Sequence, residues 1–135
     1  MNIPDEQWFN SITSRIIKCA IEVHKELGPG LVESVYEVCL IRLLEKDLLK
    51  VRSQVVVPIY FRGEFLNKNF IIDLMVEEHI VVELKAVEFL LPVHEAQLVT
   101  YLKLTNKKLG LLINFNVVLL KEGIRRRVNG NLEFG

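Results

Sequence analysis

Cysteine is scarce in this chain, which has only Cys19 and Cys39 among 135 residues. Neither stands at the spacing of a zinc or redox motif, so we expect two reduced thiols in the core. The three histidines, His24, His79 and His94, are equally scattered along the sequence. These absences exclude a fold built on disulfides and disfavour a zinc site.

Long apolar runs are also missing, because no segment approaches the roughly 20 residues that a membrane-spanning helix needs. The first six residues lack the basic and apolar regions of a signal peptide. We therefore expect a cytoplasmic protein with no membrane segment. Half of the residues are hydrophobic and a quarter are charged, which fits a single globular domain over residues 1–135.

Neither sign of charge is in excess, since 17 Lys and Arg residues balance 17 Asp and Glu residues. Strong nonspecific attraction to nucleic acid is not expected from such a composition, because phosphate binding relies on clustered cations. Two local basic groups remain, formed by Lys103, Lys107 and Lys108, and by Lys121, Arg125, Arg126 and Arg127. Each group fits either a surface that faces nucleic acid or an ordinary solvated surface.

Apolar spacing and turn residues predict the order of the elements. The predicted helices cover residues 11–27, 32–46 and 93–105, the last starting after Pro92, and the predicted strands cover residues 51–61, 70–76, 80–87 and 109–115. A final hairpin is expected from residues 117–120 and 123–128, turning at Lys121-Glu122, and the tail after Asn129 is expected to be frayed.

This order predicts an α/β fold with a mixed central sheet flanked by helices. The first three strands follow one another closely, as in an antiparallel arrangement. The helix over 93–105 then links two apolar strands, so the strand over 109–115 is expected to lie parallel to the one over 80–87. Both faces of such a sheet are covered, which makes charged residues within its strands unusual.

Ionisable residues nevertheless occupy the centres of two apolar strand segments, as Asp73 in one and Glu83 and Lys85 in the next. A three-residue loop over 77–79 would place Asp73 opposite Glu83, with Lys85 on the same face. A two-residue loop would place the two carboxylates on opposite faces. Two acids and a lysine on one face point to a divalent cation beside a reactive phosphate. The alternative is a structural ion pair of Glu83 and Lys85, with Asp73 capped by backbone or a basic neighbour.

The same segments resemble the PD-(D/E)XK nuclease superfamily, because an acid after an apolar run is followed by a hairpin and then by Glu83-Leu84-Lys85. The segment from Gly30 through Glu33 to Tyr36 matches the GxxExxY motif, which names a family of small bacterial and archaeal proteins in that superfamily. The segments over 83–87, 91–97 and 111–115 are also similar to that family, and the resemblance covers roughly residues 10–130. Ile72 stands where the superfamily name has a proline, a position that varies and holds no ligand.

The resemblance implies a restriction-endonuclease-like αβββαβ core and a metal-dependent nuclease that hydrolyses phosphodiester bonds, with DNA as the first candidate substrate. Asp73 and Glu83 would bind Mg²⁺ or Mn²⁺, and Glu33 would be a further ligand, directly or through water. Lys85 would orient or activate the attacking water and stabilise charge that develops on the phosphate. Without the resemblance, Glu33 and Glu37 would both be assigned to the solvated surface.

Gln97 and Tyr101 have the Gln-x-x-x-Tyr spacing of the RecB-like branch of the superfamily, and they share a helix face with His94. Gln97 would bond a metal-bound water or a phosphate, and Tyr101 would contact the substrate backbone or stack on a base. Both also fit satisfied polar residues of a core, and Tyr36 is expected to pack. The neutral charge favours an alternative function, a non-catalytic binding or assembly module, and a homodimer would cover apolar surface on so small a core.

Overall fold

Two helices come before three strands, and a third helix separates these strands from the last two, in a computed structural model that describes residues 4–130. The elements are α1 (Glu6–Leu27), α2 (Glu33–Lys46), β1 (Val51–Phe61), β2 (Glu64–Val76), β3 (Ile80–Lys85), α3 (Pro92–Thr105), β4 (Leu109–Asn114), a 3₁₀ helix (Leu120–Gly123) and β5 (Ile124–Val128). This order contains the predicted αβββαβ succession.

The five strands form one sheet in the order β1-β2-β3-β4-β5. Neighbouring strands are antiparallel except for β3 and β4, which α3 connects as a parallel crossover. The α/β class, the mixed sheet and the parallel placement of β4 beside β3 are therefore confirmed.

Helices cover both faces of the sheet. On one face, α1 and α2 pack their buried residues, among them Ile16 and Leu40, against the apolar side chains of β3 and β4. On the other face, α3 places Leu98 and Leu102 against the sheet. A Cβ atom at Gly110 of β4 would lie 2.6 Å from Leu98 Cδ1, so any larger residue there would force the Leu98 side chain to shift. None of the helices within residues 4–130 is both long and apolar enough to cross a membrane.

Several element ends differ from those predicted, for local reasons. Helix α1 begins at Glu6 instead of residue 11, because the Asp5 carboxylate accepts a hydrogen bond from the Trp8 backbone N–H at 2.8 Å. Strand β2 begins at Glu64 and is longer than predicted. The two cysteines are free, with Cys19 buried and Cys39 half-buried, as expected of core thiols.

The predicted strand over residues 123–128 is confirmed as β5, whereas its predicted hairpin pairing with residues 117–120 is wrong. Residues 120–123 form a 3₁₀ helix, and β5 pairs with β4, from Ile113↔Ile124 to Leu109↔Val128. A Cβ atom at Gly123 would lie 2.3 Å from the Asn114 carbonyl oxygen, so the chain passes too close to β4 here to form a separate strand pair. The predicted fraying falls on residues 131–135, which lie outside the described residues.

In the middle of β1 and of β2, the buried side chains switch from one face of the sheet to the other. In β2, Phe70 and Ile72 belong to the core cluster on the α3 side, whereas Leu74 and Val76 belong to the cluster on the α1 and α2 side. Alternate residues of a regular strand share a face, so the pleat is interrupted at the residue between them, Asp73. Gln54 of β1 has a left-handed φ of 51°. It lies between the cross-strand pairs Ser53↔Leu74 and Val55↔Ile72. The interruption lies at a candidate site residue.

Candidate functional site

The hairpin between β2 and β3 has the three-residue loop on which the predicted site depends. Val76 pairs with Ile80, and the backbone ladder continues to Leu74↔Val82. Beyond that pair, Glu83 Oε2 accepts a hydrogen bond from the Asp73 N–H at 2.9 Å, and Asp73 Oδ2 accepts one from the Leu84 N–H at 2.9 Å. Where β2 and β3 separate, these two carboxylates accept hydrogen bonds that backbone carbonyl oxygens accept elsewhere in the sheet. The structure thus brings Asp73 and Glu83 together as predicted.

Glu83 is the most strongly perturbed of these acids. Its side chain is buried, and burial, followed by the negative charge of Asp73, raises the pKa of Glu83 to about 8. The Asp73 backbone N–H and the Lys85 ammonium act in the opposite direction without cancelling this rise. Glu83 therefore holds a proton at neutral pH in the protein alone, and a bound cation would compete with that proton.

Glu33 lies at the first position of α2, within electrostatic reach of the acid pair. Burial raises the pKa of Glu33, the Asp73 and Glu37 carboxylates raise it further, and the Lys85 ammonium lowers it. Across residues 4–130, no group of three or more His, Cys, Asp or Glu side chains is arranged to hold a metal ion. Asp73 and Glu83 are thus the donor pair that the fold assembles, and Glu33 is a charged neighbour of that pair.

Tyr36 fixes the segment that leads into Glu33. Its hydroxyl donates to the Gly28 carbonyl oxygen at 2.6 Å and accepts from the Leu31 N–H at 3.1 Å. Its ring is fully buried and stacks on Phe115, with 4.5 Å between the ring centroids. The packing role predicted for Tyr36 is confirmed. Because Tyr36 lies three residues after Glu33, its contacts also hold the start of α2, where the candidate ligand Glu33 stands.

Lys85 ends β3 and is held through its main chain by β4. Its carbonyl oxygen accepts from the Phe115 N–H at 2.9 Å. Just beyond it, the Asn114 side chain accepts from the Val87 N–H at 3.0 Å and donates to the Val87 carbonyl oxygen at 2.9 Å. Asn114 is buried, and the sequence analysis assigned it no role, although an amide within an apolar strand is a detectable signal. Because this clamp by the Asn114 side chain engages both backbone groups of Val87, β3 ends before residue 87.

Tyr101 lies beside the acid pair, whereas Gln97 does not join it. The half-buried Tyr101 ring stacks on Phe70 with 4.2 Å between the centroids. Burial and then the charges of Glu83 and Asp73 raise the pKa of Tyr101. Gln97 is exposed on α3, and its side chain makes no hydrogen bond to any other residue within 4–130. Tyr101 thus interacts electrostatically with both carboxylates, and the Gln97 side chain is exposed to solvent.

The basic residues near the end of the chain are partly engaged by neighbouring groups. Arg127 forms an ion pair with Glu95, and Arg125 Nε lies 4.0 Å from the same carboxylate. Arg126 donates to Asn10 Oδ1 at 2.8 Å, and Lys107 donates to the Glu78 carbonyl oxygen at 2.7 Å. These contacts favour a structured solvated surface over a patch of unengaged cations.

Comparison with known proteins identifies the chain at the level of its superfamily. A family model for the PD-(D/E)XK nuclease superfamily matches residues 10–127. Among curated protein sequences, none matches this chain. A crystal structure of SSO0001 resembles it with a TM-score of 0.49 and 20% sequence identity, over 71% of this chain and 48% of that one. The chain thus spans about half the length of that protein.

Proposed function

Because the chain belongs to the PD-(D/E)XK nuclease superfamily, we propose that it hydrolyses phosphodiester bonds of nucleic acid, with DNA as the first candidate. The observation that supports this function is the Asp73–Glu83 pair at the point where β2 and β3 separate, with Lys85 two residues farther along β3. Within the superfamily, the motif from Gly30 to Tyr36 supports placement in the GxxExxY family.

The two carboxylates suit Mg²⁺ or Mn²⁺, which favour oxygen ligands and retain several waters. The raised pKa of Glu83 marks a place where positive charge is favourable, because the buried Glu83 carboxylate and the half-buried Asp73 carboxylate repel each other when both are ionised. When bound, such a cation lowers the pKa of a coordinated water and neutralises charge at phosphorus. Asp73 and Glu83 would hold it, and Glu33 would contribute a further carboxylate, directly or through water.

The remaining residues act on the substrate and the water. The Lys85 ammonium would orient the attacking water and stabilise negative charge on the phosphate. Tyr101, whose ring is already fixed by Phe70, would contact the substrate backbone or stack on a base. Gln97 would reach a phosphate only from the exposed surface of α3, so we assign it the weaker role.

Cleavage by purified protein tests this function. With Mg²⁺ or Mn²⁺, we expect cutting of single- or double-stranded DNA or RNA, and at least a hundredfold loss of rate in Lys85→Met and in Asp73→Asn. Lys25→Met, which changes an exposed lysine of α1, is the matched control and should cut at the wild-type rate. The proposal fails if no substrate is cut, or if Lys85→Met retains full activity in contaminant-free preparations.

A non-catalytic binding or assembly module is the second candidate, favoured by the zero net charge and by the pairing of Arg125 and Arg127 with Glu95. Stabilisation by Mg²⁺ that disappears in Asp73→Asn, together with absent cleavage, would support this module. A cytoplasmic location and a homodimer also remain proposals drawn from the sequence.

A further inference from the structure

The β1–β2 hairpin extends beyond the rest of the sheet as a two-stranded arm, formed by residues 55–72. Strand β3 pairs with β2 only from Leu74 to Val76, so β2 residues before Asp73 have β1 as their neighbour. A lone two-stranded hairpin is marginally stable in water. An arm of this length therefore gains stability from anything that covers its faces.

The inner face of the arm is covered within the chain. Val55, Val57 and Ile59 are half-buried, and they belong to the cluster that contains Leu98 and Leu102 of α3. This side of the arm needs no further partner.

The opposite, outer face is apolar and uncovered. Val56 and Ile71 lie directly opposite each other, with 58% and 49% of their surfaces exposed. Nearer the tip, Tyr60 pairs with Phe65, and their ring centroids lie 5.6 Å apart while both rings stay more than half exposed.

The size of this surface fits a protein interface. The side chains of Val56, Ile71, Tyr60 and Phe65 expose on the order of 400 Å² of largely apolar area, if a fully exposed aromatic side chain contributes roughly 200 Å² and a branched aliphatic one somewhat less. A stable interface buries roughly 800 Å² on each partner, of which somewhat more than half is apolar. The arm therefore supplies most of the apolar part of such an interface.

Charge and backbone geometry favour a second copy that packs face to face. The outer-face pairs Val56–Ile71 and Pro58–Asn69 carry no charge, so the phosphates of a nucleic acid would find no cation on this face. Pairing along the β1 edge is hindered by Pro58, which has no N–H, and by Gln54 with its left-handed φ of 51°. Because this face carries no charge, two copies related by a two-fold axis can bring their Val56–Ile71 and Tyr60–Phe65 pairs together without like-charge repulsion.

We propose that the outer face of the arm packs against the same face of a second copy, which makes the protein a homodimer. The proposal does not depend on the nuclease function. The two arms would protect each other from water, and the acid pair at the base of each arm would stay on its own subunit. Each subunit would therefore keep a complete site.

Molar mass by light scattering tests the dimer. Wild-type protein should have about twice the subunit mass of 15.6 kDa at micromolar concentration. Ile71→Lys and, independently, Val56→Lys should dissociate at least tenfold more readily, because each would bury a charge in the interface. Val118→Lys is the matched control, since Val118 lies outside the arm and is 92% exposed, and it should remain dimeric. Circular dichroism and thermal melting identify any variant that fails to fold.

Two outcomes would overturn the proposal. One is a wild-type protein that is monomeric up to hundreds of micromolar. The other is an Ile71→Lys or Val56→Lys variant that folds and dimerises like the wild type. A monomer that binds a fluorescent single-stranded oligonucleotide, and loses binding in Tyr60→Ala and Phe65→Ala, would assign the face to nucleic acid instead.

Discussion

The Glu83 carboxylate accepts a hydrogen bond from the Asp73 backbone N–H at 2.9 Å, so one acid of the pair is held by the main chain of the other. The Asp73 carboxylate in turn accepts from Leu84, the residue after Glu83. Each acid therefore occupies a place in the backbone hydrogen-bonding pattern. Their proximity is fixed by the register of β2 and β3 and does not depend on a flexible rotamer.

We predict that the stability of the metal-free protein falls as the pH rises from about 5 to about 8. The pKa of Glu83 is raised from 4.5 to about 8 in the folded protein, so the folded state retains a proton that the unfolded state releases in this window. The free energy of unfolding should fall by about 3–4 kcal/mol between these limits. Urea unfolding at several pH values measures it.

Glu83→Gln should flatten this dependence, because a glutamine amide does not titrate. Glu33, whose pKa is also raised, should leave a smaller slope of the same sign. Glu22→Gln, an exposed substitution on α1, serves as the control and should retain the wild-type slope. A wild-type stability that rises through this window would contradict the assignment.

Binding of Mg²⁺ or Mn²⁺ at neutral pH should release protons. At pH 7 the Glu83 carboxyl is largely protonated, and a cation between Glu83 and Asp73 would displace that proton, so we expect close to one proton per ion. Isothermal titration in two buffers with different ionisation enthalpies counts the protons. Asp73→Asn should abolish binding, and binding without proton release would show that the ion occupies another place.

Tyr36→Phe should destabilise the fold and loosen the approach to Glu33. The substitution keeps the ring that stacks on Phe115 but removes the hydroxyl that bonds Gly28 and Leu31. Loss of the two buried hydrogen bonds should cost about 1–3 kcal/mol of unfolding free energy. Chemical denaturation measures this loss, and Ser14→Ala, which removes an exposed hydroxyl on α1, should have little effect.

Asn114→Leu should free the chain just after Lys85. The Val87 N–H and carbonyl oxygen would lose the side-chain amide that holds both of them. We expect amide hydrogen exchange at Val87 to become at least tenfold faster, with a smaller change at Leu111 in the middle of β4. Unchanged exchange at Val87 would show that the clamp does not hold this segment in solution.

Most helices and strands were predictable because the residues that specify them are close together in the sequence. Strand β1 was predicted from Val51 to Phe61, as observed, and the Gly28-Pro29-Gly30 break separates α1 from α2. The last hairpin was wrong because apolar residues 117–120 have the composition of a strand, whereas the tight passage of Gly123 over Asn114 is a tertiary constraint. Local composition does not record such a contact.

Within the candidate site, the sequence predicted the proximity of Asp73 and Glu83, which depends on strand register alone. Asp73 and Glu83 meet because the loop over 77–79 has three residues, an alternative that the sequence left open. The clamp by Asn114 and the exposure of Gln97 depend on how β4 and α3 pack on the sheet, which spacing along one chain does not determine. The alternative in which backbone caps Asp73 is observed, because the Leu84 N–H donates to its carboxylate, whereas the hydrogen bond from the Asp73 N–H to Glu83 was not predicted.

At Asp73 and Gln54 the buried side chains change from one face of the sheet to the other, which separates the arm from the rest of the protein (the body). The side chains of the arm alternate in one frame and those of the body in the other, and the frame changes at the interrupted pleat. Removing matched residues from both strands near the tip would shorten the hairpin without shifting the frame that places Leu74 and Val76 in the body. The length of the arm is thus an independent parameter for protein engineering, which could be varied or exchanged while the acid pair keeps its geometry.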